Sequence, residues 1–201
     1  EYVVSKFPKD REIHIVMVEY PHVSSTVERV DGFIDALRNS GQRFSVAGTY
    51  EAVEPTAGQA AGQAILRDFP APGLIDVVFT VNDGGGLAVV DTLATAGRTE
   101  ILVATIDGDP ASLRNIAQGR LTRIDAAQFC GPLGATAMNI AYDVLLHKKV
   151  APVTMIPVFP ITTETQSRYP GWRGPIPRDF EKPWPSSQPI WSGSPHGMMP
   201  R

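Results

Sequence analysis

The sequence predicts an α/β fold, a doubly wound parallel sheet covered by helices on both faces in three layers. Short apolar runs rich in β-branched residues alternate with segments of helical periodicity, and few residues separate them. About five such strand–helix units fit into about 150 residues, which is typical of right-handed crossovers joining parallel strands. Both faces of a sheet built this way are covered, so its strands should be almost wholly apolar.

The apolar runs place the strands and the helical periodicity places the helices. Strands are predicted at residues 13–18, 44–49, 75–81, 101–106 and 121–126, with a last extended segment at 153–158. Helices are predicted from residue 25 to the glycine at 41, and at 57–69, 87–96, 111–118 and 132–147.

Capping signals support the helix boundaries. Ser25 and Glu28 have the spacing of a capping box before an apolar periodic segment. Asp109-Pro110 is a typical start for the fourth helix, because aspartate caps and proline fits the first turn. Gly41 and Gly97 follow helical segments and are expected to end them.

Composition limits the classes of protein that the chain could belong to. Of its 201 residues 43% are hydrophobic, and the formal net charge is −3. The hydrophobic content argues against a disordered chain. The slightly negative net charge argues against nucleic acid as a partner. No apolar run approaches the roughly 18 residues that cross a bilayer. With one cysteine, Cys130, the chain can form no internal disulfide, and we expect no metal site or cofactor.

Proline and tryptophan divide the chain into two parts. Eight of its 18 prolines and all three tryptophans (Trp172, Trp184 and Trp191) follow residue 162. We therefore predict a globular domain at 1–162 and a Pro/Trp-rich extension at 163–201. Proline-rich segments are often disordered, but tryptophans give this one apolar surface to bury. Both a loosely ordered extension and a packed one remain open.

Polar residues cluster where the predicted strands end, which is where doubly wound sheets bind ligands. Carboxylates and amides can each serve two neighbouring hydroxyls, and arginine adds a rigid donor fork, so the set suits a sugar or polyol. The candidates are Tyr20, His22, Arg29, Asn82, Asp83, Asp107 and Gln128. Asp125 is also placed in the loop after the fifth strand.

Simpler interpretations stand beside these candidates. Asp107 and Asp109 are also good helix caps, Asn82 and Asp83 also favour turns, and Arg29 fits a solvated helix face. The three glycines at 84–86 could cradle a phosphate, although they lack the residues of a P-loop and the spacing of a dinucleotide motif. No nucleophile elbow or zinc-protease motif is present, and an enzyme is not expected.

Four segments resemble, in order and spacing, the C-terminal lobe of type I periplasmic sugar-binding proteins, the substrate-binding subunits of ABC importers. They are SSTVERVDGFIDAL at 24–37, DVVFTVNDGGGLAVVDTLATAG at 76–97, IDGDPASLRNIAQG at 106–119, and the stretch from 121 to 134. The resemblance covers roughly residues 10–162. It implies that Arg29, Asn82, Asp107 and Gln128 hydrogen-bond the ligand, and that the protein is extracytoplasmic.

The chain departs from the family pattern in three places. The aromatic residue expected near Glu54 is absent, with Tyr50 a possible substitute, and the fifth strand carries one extra residue before Gln128. The family also has two lobes that close on the ligand by a hinge motion. We therefore expect a fragment that binds sugar weakly alone, whose extension packs on an N-terminal lobe of the same precursor or on a partner.

Solute binding for an ABC importer is the function that the resemblance implies, with an ABC permease or membrane receptor as partner. The alternatives are the effector domain of a LacI-like transcription regulator and a sugar-sensing module, both with the same ligand residues. A small α/β enzyme using Asp83 or Asp107 as acid or base is a further alternative, and a pKa near neutrality at the cleft would favour it.

Overall fold

The computed structural model describes residues 1–177 and 180–186, and it contains six strands and six α-helices. The predicted extension therefore falls outside the described residues at 178–179 and 187–201, which include Trp191. The strands are β1 (Ile13–Glu19), β2 (Phe44–Glu51), β3 (Val77–Thr80), β4 (Leu102–Asp107), β5 (Thr122–Ala127) and β6 (Phe159–Ile161). The helices are α1 (Tyr2–Ser5), α2 (Ser24–Ser40), α3 (Pro55–Asp68), α4 (Asp83–Thr95), α5 (Pro110–Ala117) and α6 (Cys130–Leu145), with a 3₁₀ turn at Gln166–Arg168.

The strands form one sheet in the order β2-β1-β3-β4-β5-β6. The first five are parallel, which confirms the doubly wound arrangement, and the chain reverses its direction across the sheet between β1 and β3. In folds of this type the crevice at such a reversal is where ligands bind.

Alternate residues of the central strands enter two apolar cores, one on each face. Ile15 and Met17 of β1 pack with Leu37 of α2, whereas Val16 and Val18 pack with residues of α3 and α4. This alternation follows from the two-residue period of a strand, and it produces the predicted three layers.

Two irregularities in the strands affect register. One residue of β5, Arg123, is extra, because Val103 and Ala104 of β4 pair with Thr122 and Ile124. The additional residue predicted in this strand is therefore a bulge. A second register shift lies between β1 and β2, where Ile15 pairs with Val46 and Val16 pairs with Gly48.

Two sequence predictions about local structure are wrong. No side chain caps the start of α2; instead the Thr26 hydroxyl donates to the carbonyl oxygens of Tyr20 and Val23. The last strand lies at Phe159–Ile161 rather than 153–158, and it runs antiparallel to β5. The C-terminal cap at Gly41 is confirmed, with a left-handed φ of 71°.

The extension packs on this lobe as far as it is described. Tyr169 and Phe180 join Phe129 and Phe159 in a third apolar core beside β5 and β6. Trp184 is buried at the other end of the sheet, where its ring lies edge-on to Tyr2 with centroids 5.1 Å apart. Within residues 163–177 and 180–186 the extension thus has apolar partners on this lobe. Within these described ranges, no helix has the length and apolarity to cross a membrane.

Candidate functional site

Three of the predicted residues meet at the carboxyl ends of the strands. One oxygen of the Asp107 carboxylate, Oδ1, accepts hydrogen bonds from Gln128 Nε2 at 2.6 Å and from Arg29 Nη1 at 3.2 Å. The side chains of Arg29 and Asp107 are 22% and 27% exposed, so both reach solvent although they are paired. We call these three residues and the edge that carries them the rim.

Arg29 bridges the point where the sheet reverses direction. It lies in the second turn of α2, after β1, and the same nitrogen that meets Asp107 also donates to the carbonyl oxygen of Val81 at 2.6 Å. Val81 follows β3, which separates β1 from β4. The guanidinium therefore holds together three strand ends, and the alternative of a solvated helix residue is wrong.

Asp107 has an unusual backbone conformation. Its φ is 133°, in a region that costs a residue with a side chain about 1–3 kcal/mol. Two hydrogen bonds hold the residue there, because its carbonyl oxygen accepts from Gln128 N at 3.1 Å and from Trp172 Nε1 at 2.7 Å. Strain of this kind persists where surrounding contacts fix the backbone, and it clusters at binding sites.

Asp83 lies beneath the rim rather than on it. Its side chain is buried, and both carboxylate oxygens accept hydrogen bonds. Oδ1 accepts from the Thr105 hydroxyl at 2.8 Å, and Oδ2 accepts from the backbone amide of Asp109 at 2.7 Å. Burial raises the pKa of this carboxyl. The burial of Asp83 does not favour the predicted ligand contact, because both of its carboxylate oxygens are bonded within the lobe.

Asp125 forms a buried pair with Asp83. It lies inside β5 rather than in the loop after it, and it is wholly buried. Its Oδ1 accepts from the amide of Gly108 at 2.9 Å, whereas Oδ2 has no amide or hydroxyl donor among the described residues. Burial and the neighbouring Asp83 charge raise the pKa of Asp125 well above its usual value. Burial and the neighbouring carboxylate thus both disfavour the charged form of Asp125.

These two carboxyl groups hold the loop that carries Asp107. Asp125 fixes the amide of Gly108, and Asp83 fixes that of Asp109. Asp109 also caps α5, its side chain accepting from Ala111 N at 2.7 Å. The predicted cap at Asp109 is thus confirmed, while the Asp107 side chain turns to Arg29 and Gln128.

Asn82 connects the rim to the loop after β2. Its Oδ1 accepts from Gly85 N at 3.2 Å, which caps α4, and its Nδ2 donates to the carbonyl oxygen of Val53 at 2.9 Å. The side chain is half-buried, and an amide has two N–H groups and two oxygen lone pairs. One donor and one acceptor position of Asn82 are thus left for a ligand.

The three glycines at 84–86 let α4 approach its neighbours closely. A Cβ on Gly84 would lie 2.6 Å from the carbonyl oxygen of Val53, and one on Gly85 would lie 2.9 Å from that of Ala52. A Cβ on Gly86 would overlap the Thr80 hydroxyl. The loop after β2 therefore covers the start of α4, and the glycines serve packing rather than a phosphate cradle.

Tyr20 and His22 form a separate group beyond β1. Their rings lie edge-on with centroids 4.9 Å apart, and His22 Nε2 is 3.2 Å from Glu51 Oε2 at the end of β2. Tyr20 is half-buried and His22 is exposed. Their contacts join them to the edge of the sheet rather than to Arg29, Asp107 and Gln128.

The extension supplies rim contacts that sequence reasoning missed. The Tyr169 hydroxyl donates to the carbonyl oxygen of Gln128 at 2.7 Å, and the Trp172 indole donates to that of Asp107. The signal available in the sequence was the concentration of aromatic residues after 162. It predicted that the extension packs somewhere, but not where.

Comparisons with known proteins match this arrangement. The ribose import binding protein RbsB of Salmonella typhimurium is 30% identical over 128 residues, which are 63% of this chain and 41% of that protein. Two solved ABC transporter solute-binding proteins share the fold. One is from Actinobacillus succinogenes with bound D-allose and has a TM-score of 0.70 at 20% identity. The match covers 79% of this chain and 56% of that protein's chain.

The other solved structure, from Agrobacterium vitis with bound allitol, has a TM-score of 0.71 at 23% identity. The match covers 78% of this chain and 56% of that protein's chain. The chain thus spans 41% of the length of the curated relatives that it matches. Residues 1–149 match the family described as periplasmic binding protein domain. Because this match covers most of the chain and the predicted sheet is present, the chain belongs to the periplasmic binding protein domain family.

Proposed function

We propose that this chain is the sugar- or polyol-binding lobe of an extracytoplasmic solute-binding protein that serves an ABC importer. The observation that carries the proposal is the convergence of Arg29, Asp107 and Gln128 at the carboxyl ends of the strands. Asp107 has lone pairs left for hydroxyl donors, while Arg29 and Gln128 have N–H groups left for hydroxyl oxygens. The D-allose and allitol complexes of structural neighbours support this class of ligand.

We further propose that the lobe binds its ligand without changing it. An acid or base catalyst needs a shifted pKa at a group that reaches the substrate. Among the described residues, the carboxyl groups with raised pKa are Asp83 and Asp125, and both are buried beneath the loop of Asp107. Their task in this proposal is to position Asp107.

A second lobe of the same protein is the proposed partner, and α6 carries its contact surface. Met138, Tyr142 and Leu145 are 71%, 62% and 76% exposed and lie on one face, since they are four and three residues apart. Every residue of α6 is at least partly exposed to solvent in the described chain. A 16-residue helix with a large exposed apolar face is typical of an interface.

In this arrangement the second lobe closes over the rim, and the closed form meets an ABC permease or membrane receptor. The regulator and sensing alternatives would use the same rim residues. We prefer transport because the curated relatives are ribose import binding proteins and the structural neighbours are solute-binding proteins of ABC transporters.

Isothermal titration calorimetry tests the proposal with D-ribose, D-allose and allitol. The complete gene product should bind at least one of the three, and Asp107→Ala should abolish that binding. Residues 1–201 alone should bind weakly or not at all, because one lobe leaves half of the ligand in water. Micromolar binding by residues 1–201 would refute the need for a second lobe, and unaltered affinity in the variant would remove Asp107 from the site.

A further inference from the structure

We propose that Trp172, in the C-terminal extension, is a ligand-contacting residue that selects ring sugars. Its indole, bonded to the backbone of Asp107, forms an apolar wall at the rim, against which the C–H face of a bound sugar packs. This inference rests on the proposed function, and it goes beyond the polar residues of the rim.

The position of Trp172 is fixed at both of its polar ends. The indole Nε1 donates to the carbonyl oxygen of Asp107 at 2.7 Å, and the backbone oxygen of Trp172 accepts from Gly131 N at 2.8 Å. Close packing reinforces the second contact, because a Cβ on Gly131 would lie 3.2 Å from that oxygen. The ring is therefore anchored next to the residue that we expect to bind hydroxyls.

The segment that leads to Trp172 is also anchored. Tyr169 is 9% exposed, and its ring packs against those of Phe129 and Phe159 with centroids 5.7 Å and 5.6 Å away. Its hydroxyl donates to the carbonyl oxygen of Gln128 at 2.7 Å. Trp172 thus stands three residues beyond a buried anchor that is itself bonded to the rim.

Part of the anchored indole is still exposed to solvent. Trp172 is 36% exposed, whereas the tryptophan at 184 is 9% exposed. Because the only polar atom of the indole side chain, Nε1, is bonded to Asp107, the exposed part of the side chain is apolar. An apolar ring next to Asp107 at a polar rim matches a sugar, which has hydroxyls at its edge and C–H groups on its faces.

The rest of the described rim lacks such a surface. The loop after β2 reads Ala52-Val53-Glu54-Pro55, without an aromatic residue. Tyr50 does not replace one, because its hydroxyl donates to Asp68 Oδ2 at 2.8 Å at the end of α3 and so turns away from the rim. Arg29, Asp107 and Gln128 are all polar, so Trp172 supplies the apolar contact that they cannot.

Calorimetry on the complete gene product tests the inference with Trp172→Ala and Trp172→Phe. The control is Trp184→Phe, because Trp184 packs on Tyr2 at the opposite end of the sheet. Losing the contact of one ring face should raise the Kd for D-ribose or D-allose about tenfold in Trp172→Ala. Trp172→Phe should stay within about threefold of the wild type, because a phenyl ring keeps a face. The affinity for allitol, which has no ring, should fall less in Trp172→Ala than the affinity for the two sugars.

Other results would overturn the inference. If Trp172→Phe loses as much affinity as Trp172→Ala, the indole acts through its hydrogen bond to Asp107 and is a positioning residue. Tighter binding by Trp172→Ala would mean that the ring blocks the rim, and equal affinity would mean that it touches no ligand. Failure of the proposed function is a different result, in which the wild-type protein binds none of the three compounds or Asp107→Ala binds them as well as the wild type.

Discussion

Replacing Asp107 by glycine should separate ligand binding from folding. Asp107 has a φ of 133°, which glycine adopts freely and alanine does not. In an ordinary conformation a glycine variant is less stable than the alanine variant by roughly 0.5–1 kcal/mol, because glycine loses more entropy on folding. At a positive φ this order should reverse.

The magnitudes follow from the contacts of Asp107. Both variants lose the same half-buried pair with Arg29 and the hydrogen bond from Gln128, which together stabilise the fold by about 1–2 kcal/mol. Only glycine also relieves the backbone strain of about 1–3 kcal/mol. After its entropy cost of roughly 0.5–1 kcal/mol is subtracted, Asp107→Gly should be more stable than Asp107→Ala by about 0.5–2 kcal/mol, and within about 1 kcal/mol of the wild type.

Urea denaturation of the two variants and the wild type measures these differences, with calorimetry against the ligand in parallel. Both variants should lose ligand binding, because each lacks the carboxylate. Asp107→Asn is the matched control, since it removes the charge but keeps the size of the side chain and an oxygen acceptor. An alanine variant that is more stable than the glycine variant would refute the strain at this position.

Two further predictions concern the pair beneath the rim and the glycines of α4. Asp125 has a raised folded pKa, so the wild type should lose stability as pH rises from about 4 through that pKa, at up to about 1.4 kcal/mol per unit. Asp125→Asn keeps an acceptor for the amide of Gly108 and carries no titratable group, so urea unfolding between pH 4.5 and 9 should show an increasing advantage for the variant. Parallel curves for the variant and the wild type would contradict the raised pKa of Asp125. Gly84→Ala should destabilise by about 1–3 kcal/mol, because its Cβ would lie 2.6 Å from a backbone oxygen. Gly32→Ala, inside α2 with open space around it, should stabilise by about 0.5–1 kcal/mol, and equal thermal shifts for the two glycine variants would refute the close approach.

The alternation of strands and helices could be predicted because it depends on local periodicity. The predicted run at 101–106 and the observed β4 (Leu102–Asp107) differ by one residue at each end. The error at α2 has a physical cause. Ser25 and Glu28 have the spacing of a capping box, but α2 begins at Ser24 with Val23 as its N-cap, so Ser25 lies inside the first turn. The exact residue at which a helix begins is not visible in spacing alone.

The convergence of Arg29, Asp107 and Gln128 could be expected from topology, because parallel strands place their carboxyl ends on one edge. Whether a side chain at that edge is buried or exposed could not be predicted. Asp83 and Asp107 both lie near the ends of strands, but Asp83 is the first residue of α4. The glycines that follow it let the helix approach its neighbours closely, so Asp83 is buried beneath the loop of Asp107. Burial of this kind is set by contacts between distant segments, such as the bond from Asp109 N to Asp83, which are 26 residues apart.

The path of the extension could not be predicted either, because proline-rich segments lack a period that shows which side faces the core. Its antiparallel strand β6 adds a sixth strand to a sheet that crossover connections alone would end at β5. Three aromatic side chains of the extension, Tyr169, Phe180 and Trp184, then pack on the lobe. The aromatic content thus predicted burial, while the partner surface depended on the three-dimensional fold.

The short strand β6 also has a consequence for how the protein behaves in solution. An unpaired strand edge is a template on which other chains assemble by backbone hydrogen bonding. By pairing with Asp125, Ala126 and Ala127, residues 159–161 close that edge of β5. Shortening the chain to residue 158 would therefore uncover both the edge and the apolar side chains beneath it, and the shortened protein should self-associate even if its first five strands fold correctly.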